Sequence, residues 1–121
     1  MNRFSTAALL LSVLTFFQAM SQVKGTIKGR ALDGGTRRPV EFASVALLSS
    51  ADSSIVKGAM TDTSGVFVIS NLSEGNYLIT LSSIEYQKVF KGPLLINSTQ
   101  QELDLGDLSM VTDQKLLAEV I

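Results

Sequence analysis

The chain has 121 residues, with 10 basic and 11 acidic side chains and no Cys, His or Trp. One domain is the expectation at this length. The absences exclude disulfides, Cys- or His-built zinc sites, thiol nucleophiles and His-based triads, and scattered charges of both signs give no footprint for nucleic acid.

Residues 1–21 read as a secretory signal peptide. Arg3 is followed by an apolar run from Ala7 to Phe17, too short for a bilayer-spanning helix, which needs about 20 residues. Small residues two apart, Ala19 and Ser21, place the cut between Ser21 and Gln22. Removing this segment, which contains Arg3 and no acidic residue, leaves nine basic and eleven acidic side chains on an exported domain without cysteine.

From Val23 to Ala31 the residues alternate, with Val23, Gly25, Ile27, Gly29 and Ala31 on one face and Lys24, Thr26, Lys28 and Arg30 on the other. This predicts a first strand with one wet face. Asp33 to Pro39 is turn chemistry. Phe42 to Leu48 predicts a second strand, apolar on both faces, hence covered on both sides or packed on a neighbouring segment. Ser49 to Ser54 is a loop, Ile55 to Thr61 a third strand, and Asp62-Thr63-Ser64-Gly65 a turn into a fourth, Val66 to Ser70, predicting a hairpin of strands three and four. Tyr77 to Ser82 is a fifth strand. Tyr86 to Lys91 is a sixth, stopped by Gly92-Pro93. Leu103 to Met110 is the seventh, and its alternation slips by one residue at Gly106, the signature of a β-bulge.

Seven short strands without an amphipathic helix predict an all-β, seven-stranded antiparallel Greek-key β-sandwich. The expected core is Val23, Ile27, Val45, Leu47, Ile55, Phe67, Ile69, Leu72, Tyr77, Ile79, Leu81, Phe90, Leu103, Leu105 and Leu108.

An ordered set of short motifs then carries a resemblance: Gly25-x-Ile27-x-Gly29, Pro39-Val40-Glu41-Phe42-Ala43-x-Val45, Asp52-Ser53-Ser54-x-Val56-Lys57-Gly58, Thr61-Asp62-x-x-Gly65-x-Phe67, Leu72-x-x-Gly75-x-Tyr77-x-Ile79 and Asp104-Leu105-Gly106. Over residues 22–110 the chain resembles the carboxypeptidase-regulatory-like domain, a transthyretin-like sandwich at the N-terminus of outer-membrane β-barrel proteins and TonB-dependent receptors of the Bacteroidetes. At Ile84-Glu85-Tyr86 it departs from the family, which usually has Gly before the Tyr. Residues 111–121 read as a linker and the start of a plug-like segment. Leu116-Leu117-Ala118-Glu119-Val120-Ile121 looks like the Leu-x-Glu-Val-x-Val stretch that precedes the plug in those receptors, which makes the chain the leading piece of a longer protein.

Chemistry-bearing patterns are few. Asp62-Thr63-Ser64-Gly65 lacks the paired carboxylate of an aspartic protease. Glu102, Asp104 and Asp107 lie on an alternating strand without Asp-x-Asp spacing, so they read as solvated charges rather than calcium ligands. Asn71-Leu72-Ser73 and Asn97-Ser98-Thr99 are sequons that read as turns, and Arg37-Arg38 is loop solvation. No catalytic residue, cofactor or metal is expected.

The extended apolar segment of Leu116, Leu117, Glu119, Val120 and Ile121 could add to a partner's sheet. The resemblance implies as partners the rest of an outer-membrane barrel and the periplasmic domain of an energy-transducing TonB-type protein. The reading is therefore a non-catalytic periplasmic module of an outer-membrane receptor, acting by binding or positioning in transport. The alternative is a free-standing secreted structural or adhesive sandwich.

Overall fold

The computed structural model describes residues 23–113. The leader with its Ser21–Gln22 cut, and the segment Leu116 to Ile121, lie outside the described residues.

Seven strands form two packed sheets: β1 (Gly25–Asp33), β2 (Ser44–Ser49), β3 (Ile55–Met60), β4 (Val66–Leu72), β5 (Gly75–Ser82), β6 (Val89–Ile96) and β7 (Glu102–Met110). One sheet has the order β4-β1-β7 and the other β3-β2-β5-β6. The all-β sandwich is as expected. Four of the five strand pairings are antiparallel, but β1 and β7 run parallel. A parallel neighbour needs a long crossover connection, and the whole of the second sheet lies between these two strands in sequence.

The expected hairpin of strands three and four does not form. The local turn does: Asp62 Oδ1 accepts the N–H groups of Ser64 and Val66, each at 2.9 Å, and Gly65 adopts a φ of 77°. Past the turn, however, Ala31 donates its N–H to the Gly65 carbonyl at 2.8 Å and Val66 pairs with Arg30. The chain thus turns a corner from one sheet into the other, β3 pairing with β2 and β4 with β1. Lys57, on the edge strand β3, closes this corner by donating to the Ser70 carbonyl of β4.

The sixth strand also differs from expectation. It runs from Val89 to Ile96, straight through Gly92-Pro93, whose peptide bond is cis. Proline lacks an N–H, but β6 is an edge strand and can spare one. The ladder slips beside it between Tyr77 and Ile79, and Gly92 lies against Leu78, where an added Cβ would come within 2.5 Å of Leu78 Cδ2.

Ten of the fifteen expected core residues are buried, and Val23, Leu103 and Leu105 are partly buried against them. Ile55 and Phe90 are not in the core; they are 73% and 68% exposed. Ile55 opens an edge strand, while Phe90 pairs with Thr80 on the outward face of the four-stranded sheet. Their places in the interior are taken by Leu94, Ile96, Met110, Val40, Ala43 and Ala31. On β1, Gly29 leaves room for Phe67, whose Cζ would lie 2.7 Å from an added Cβ.

The bulge at Gly106 is as expected. Lys28 faces Asp104 and Arg30 faces Asp107, so β7 carries one extra residue there. Gly106 takes a φ of 68° and donates its N–H to Asp104 Oδ1 at 2.9 Å.

Candidate functional site

The outward side of the four-stranded sheet is the feature that packing within the described residues does not account for. Ladder register puts Met60 and Gly58 of β3, Ser44 and Ala46 of β2, Thr80 and Ser82 of β5 and Phe90 of β6 on one side, with Leu48 opposite Leu78 and Asn76 opposite Leu95 continuing it. None of these residues is charged. Phe90, Met60 and Leu95 are 68%, 58% and 44% exposed, while Thr80 at the centre is buried by its neighbours. At the rim, Lys88 places its Nζ 5.5 Å from the centroid of the Phe90 ring, a cation–π contact. Large apolar side chains exposed together on one uncharged face are a mark of interaction sites.

The apolar surface continues around one end of the sheet. Phe42, just before β2, and Ile84, just after β5, are both well exposed. Extending the β2–β5 register beyond Ser44 and Ser82 sets these two residues opposite each other. Phe42 is held in a left-handed conformation, φ 56°, unusual for a bulky side chain. The buried Thr61 enforces it. Its hydroxyl donates to the Val40 carbonyl and accepts the Ala43 N–H, each at 2.8 Å, and its own carbonyl accepts the Phe42 N–H at 3.1 Å. The strain, on the order of 1 kcal/mol, is absorbed by this buried staple while the ring points to water.

At the same end the two sheets are tied together. The Tyr86 hydroxyl donates to Asp33 Oδ2 at 2.7 Å, and Asp33 Oδ1 accepts the N–H groups of Gly35 and Thr36. These donors, the Thr36 N–H foremost, pull the Asp33 carboxyl down to about 2, and the same bond raises the Tyr86 hydroxyl above its usual range. Beyond β7 the chain lies against this loop: Gln87 donates its N–H to the Val111 carbonyl at 2.8 Å, Tyr86 bridges Thr112, and Asp113 donates to the Glu85 carbonyl at 2.6 Å.

The acidic residues weighed as oxygen ligands are engaged otherwise. Asp107 receives Arg30 through two nitrogens at 2.9 and 3.2 Å, which lowers its pKa, and Arg37 stands 4.0 Å away. Glu102 lies 3.5 Å from Lys28, and Asp104 caps the bulge. Among the described residues, every buried side-chain nitrogen or oxygen has a hydrogen-bond partner.

Sequence reasoning singled out the segment Leu116–Ile121 and missed the face itself. The signal was present in β2, whose run is apolar on both sides, and in Leu78 and Thr80 of β5.

The fold recurs in solved structures. The major pilin subunit BcpA of Bacillus cereus aligns at 20% identity with a TM-score of 0.58, over 75% of this chain and 31% of that one. The minor pilin of Streptococcus agalactiae aligns at 18% identity and 0.53, over 76% and 46%. Hydroxyquinol 1,2-dioxygenase from Pseudomonas putida aligns at 10% and 0.54, over 78% and 58%. In each, the chain spans less than two thirds of the matched protein, and at these identities the likeness is one of fold. No curated protein matches the sequence. Residues 26–110, most of the chain, match the carboxypeptidase regulatory-like domain, a span that takes in all seven strands except Gly25, the first residue of β1. The chain belongs to the carboxypeptidase regulatory-like domain family.

Proposed function

We propose that this chain is a non-catalytic, exported β-sandwich module of an outer-membrane receptor or β-barrel protein, facing the periplasm and acting by binding or positioning. One observation carries the binding role: an uncharged outward face on the four-stranded sheet with large apolar side chains exposed on it, set against a charge-paired face on the three-stranded sheet. A surface of that composition is suited to contact with protein rather than with a charged small molecule. The outer-membrane setting rests on the apolar leader and on the receptor-like segment Leu116–Ile121. The partners are then the remainder of the barrel and the periplasmic domain of a TonB-type energy-transducing protein.

The test is expression of the chain with its own leader in a diderm bacterium, with and without the reading frame that follows it. The mature protein should begin at Gln22, and it should be retained in the envelope and crosslink to the barrel through residues placed on the uncharged face. Release into the medium as a free protein, with no envelope partner, overturns the receptor role. That outcome favours the second reading, a secreted structural or adhesive sandwich, which the pilin subunits among the structural neighbours support. The purified protein is expected to show no peptidase turnover.

A further inference from the structure

Each sheet ends in two strands that are paired on one side only: β4 and β7 in one, β3 and β6 in the other. Open edges invite pairing with another chain, and three of these four carry features that discourage it. β6 contains Pro93, which has no N–H, and its Leu95 carbonyl accepts the Gln100 side-chain amide at 2.6 Å. β7 is broken by the bulge at Gly106 and carries Glu102, Asp104 and Asp107. On β4 the Lys57 ammonium occupies the Ser70 carbonyl. β3 is different. It has no proline and no acidic residue, its bulge lies at its start beside Val56, and its one charge is the ammonium already committed to β4.

The backbone of β3 fixes which groups the open edge offers. Thr61, just past the strand, turns both of its groups to the β2 side, donating to the Ala43 carbonyl at 3.0 Å and accepting the Phe42 N–H. From Met60 back to Lys57 the ladder with β2 is regular. Alternation along an antiparallel ladder then leaves the N–H and C=O of Met60 and Gly58 facing away from β2, toward the open edge. The same two residues lie on the outward, uncharged side of the sheet, with Val56 and Met60 both exposed.

We infer that two copies of the chain pair along β3, antiparallel about a two-fold axis at Gly58, joining their four-stranded sheets into one continuous sheet. This register brings the outward-facing groups of Gly58 opposite their own copy, where each residue can donate to and accept from the other. It sets Val56 of each copy opposite Met60 of the other, an apolar pair on both sides of the axis. Lys57 then meets Ala59. An axis at Lys57 would instead oppose two like charges, and an axis at Ala59 would set Val56 against Asp62. Gly58 has no side chain to hold the strands apart, and the uncharged face runs on unbroken from one copy to the next. The pairing is independent of the receptor role, and holds equally for a free-standing protein.

Sedimentation equilibrium of the purified chain from about 10 μM to about 1 mM, the range in which so small a contact associates, should show a rise from one chain to two. Val56→Lys/Met60→Lys opposes like charges twice in this register and should weaken the dimer at least about tenfold. Both residues are exposed, so the variant should melt as the parent does. Val56→Lys/Met60→Glu opposes Lys to Glu instead and should restore the dimer. Phe90→Ser, on the same face but at the far edge strand, should leave it unchanged. A parent that stays single at about 1 mM overturns the inference, as does a dimer that survives the two lysines or is lost equally in both charge variants. Dissociation by Phe90→Ser also overturns it, and would assign the contact to the face of the sheet rather than its edge.

Discussion

On the three-stranded sheet, the outward positions of β1 and β7 carry Lys28 and Arg30 beside Glu102, Asp104 and Asp107, with Lys28–Glu102 and Arg30–Asp107 ion pairs across the strands. On the four-stranded sheet, the corresponding positions of β2, β5 and β6 carry Ala46, Leu48, Leu78, Thr80 and Phe90. Both faces belong to strands whose other side is buried in one shared core. The first face satisfies its charges within the sheet and with water. The second carries hydroxyl and amide groups but no charge, and its large apolar side chains stand exposed among them, the composition of a surface suited to being covered.

The largest expected effect comes from placing one carboxylate on each face. Thr80→Asp puts a charge where only 5% of the side chain reaches water, with no cation opposite, and should cost about 2–4 kcal/mol. Val68→Asp, at a position 53% exposed and directly opposite Lys28, should change stability by less than about 1 kcal/mol. Urea unfolding of the two variants decides it. If both are equally benign, the four-stranded face is already wet and the contrast fails.

How much of this was legible before the structure depends on whether the signal is local. The bulge at Gly106 was readable because parity slips within one strand, and Leu105 and Leu108 must both point inward. The turn at Asp62–Gly65 was readable too, because Asp62 caps its own loop. What a turn cannot say is which sheet the next strand joins. That choice is made by Arg30 and Gly29 of β1, which pair with Val66 and Phe67 from far away in sequence. Likewise Gly92-Pro93 reads as a stop only when edge and centre are not yet distinguished. Glu85 shows the reverse case: where the family usually has Gly, this residue has a φ of 73°, the conformation glycine takes without cost.

A smaller effect should follow pH at the end where the two sheets are tied. The folded Asp33 carboxyl titrates at about 2, below its ordinary value of 3.8. A depressed carboxylate contributes stability that is complete above the unfolded pKa and is lost as pH falls through the folded one. Stability should therefore decline from about pH 5 toward pH 2. Asp33→Asn should flatten that decline, and Tyr86→Phe should flatten it in part, because the Tyr86 hydroxyl is one of several donors to the carboxylate. Identical pH profiles for the parent and Asp33→Asn would show that the tie is not formed in solution. Asp52 and Asp107, also lowered, keep the residual slope above zero.

The smallest effect concerns salt, and it separates the two faces most cleanly. Arg30 and Asp107 are each about half exposed, in the range where ion pairs contribute little because water and ions screen them. Arg30→Ala should lower the melting temperature slightly in dilute buffer, and the gap to the parent should close in about 1 M salt, where the screening length falls to about 3 Å. Leu78→Ala, on the uncharged face and packed against Gly92, should lower it by an amount that salt leaves intact, because that loss is one of contact and apolar burial. Should the Arg30 gap persist in high salt, the side chain is acting through packing of its aliphatic stem along Val66 rather than through charge. The three-stranded face would then be less a solvated electrostatic surface than its ion pairs imply, and its difference from the opposite face would be one of degree.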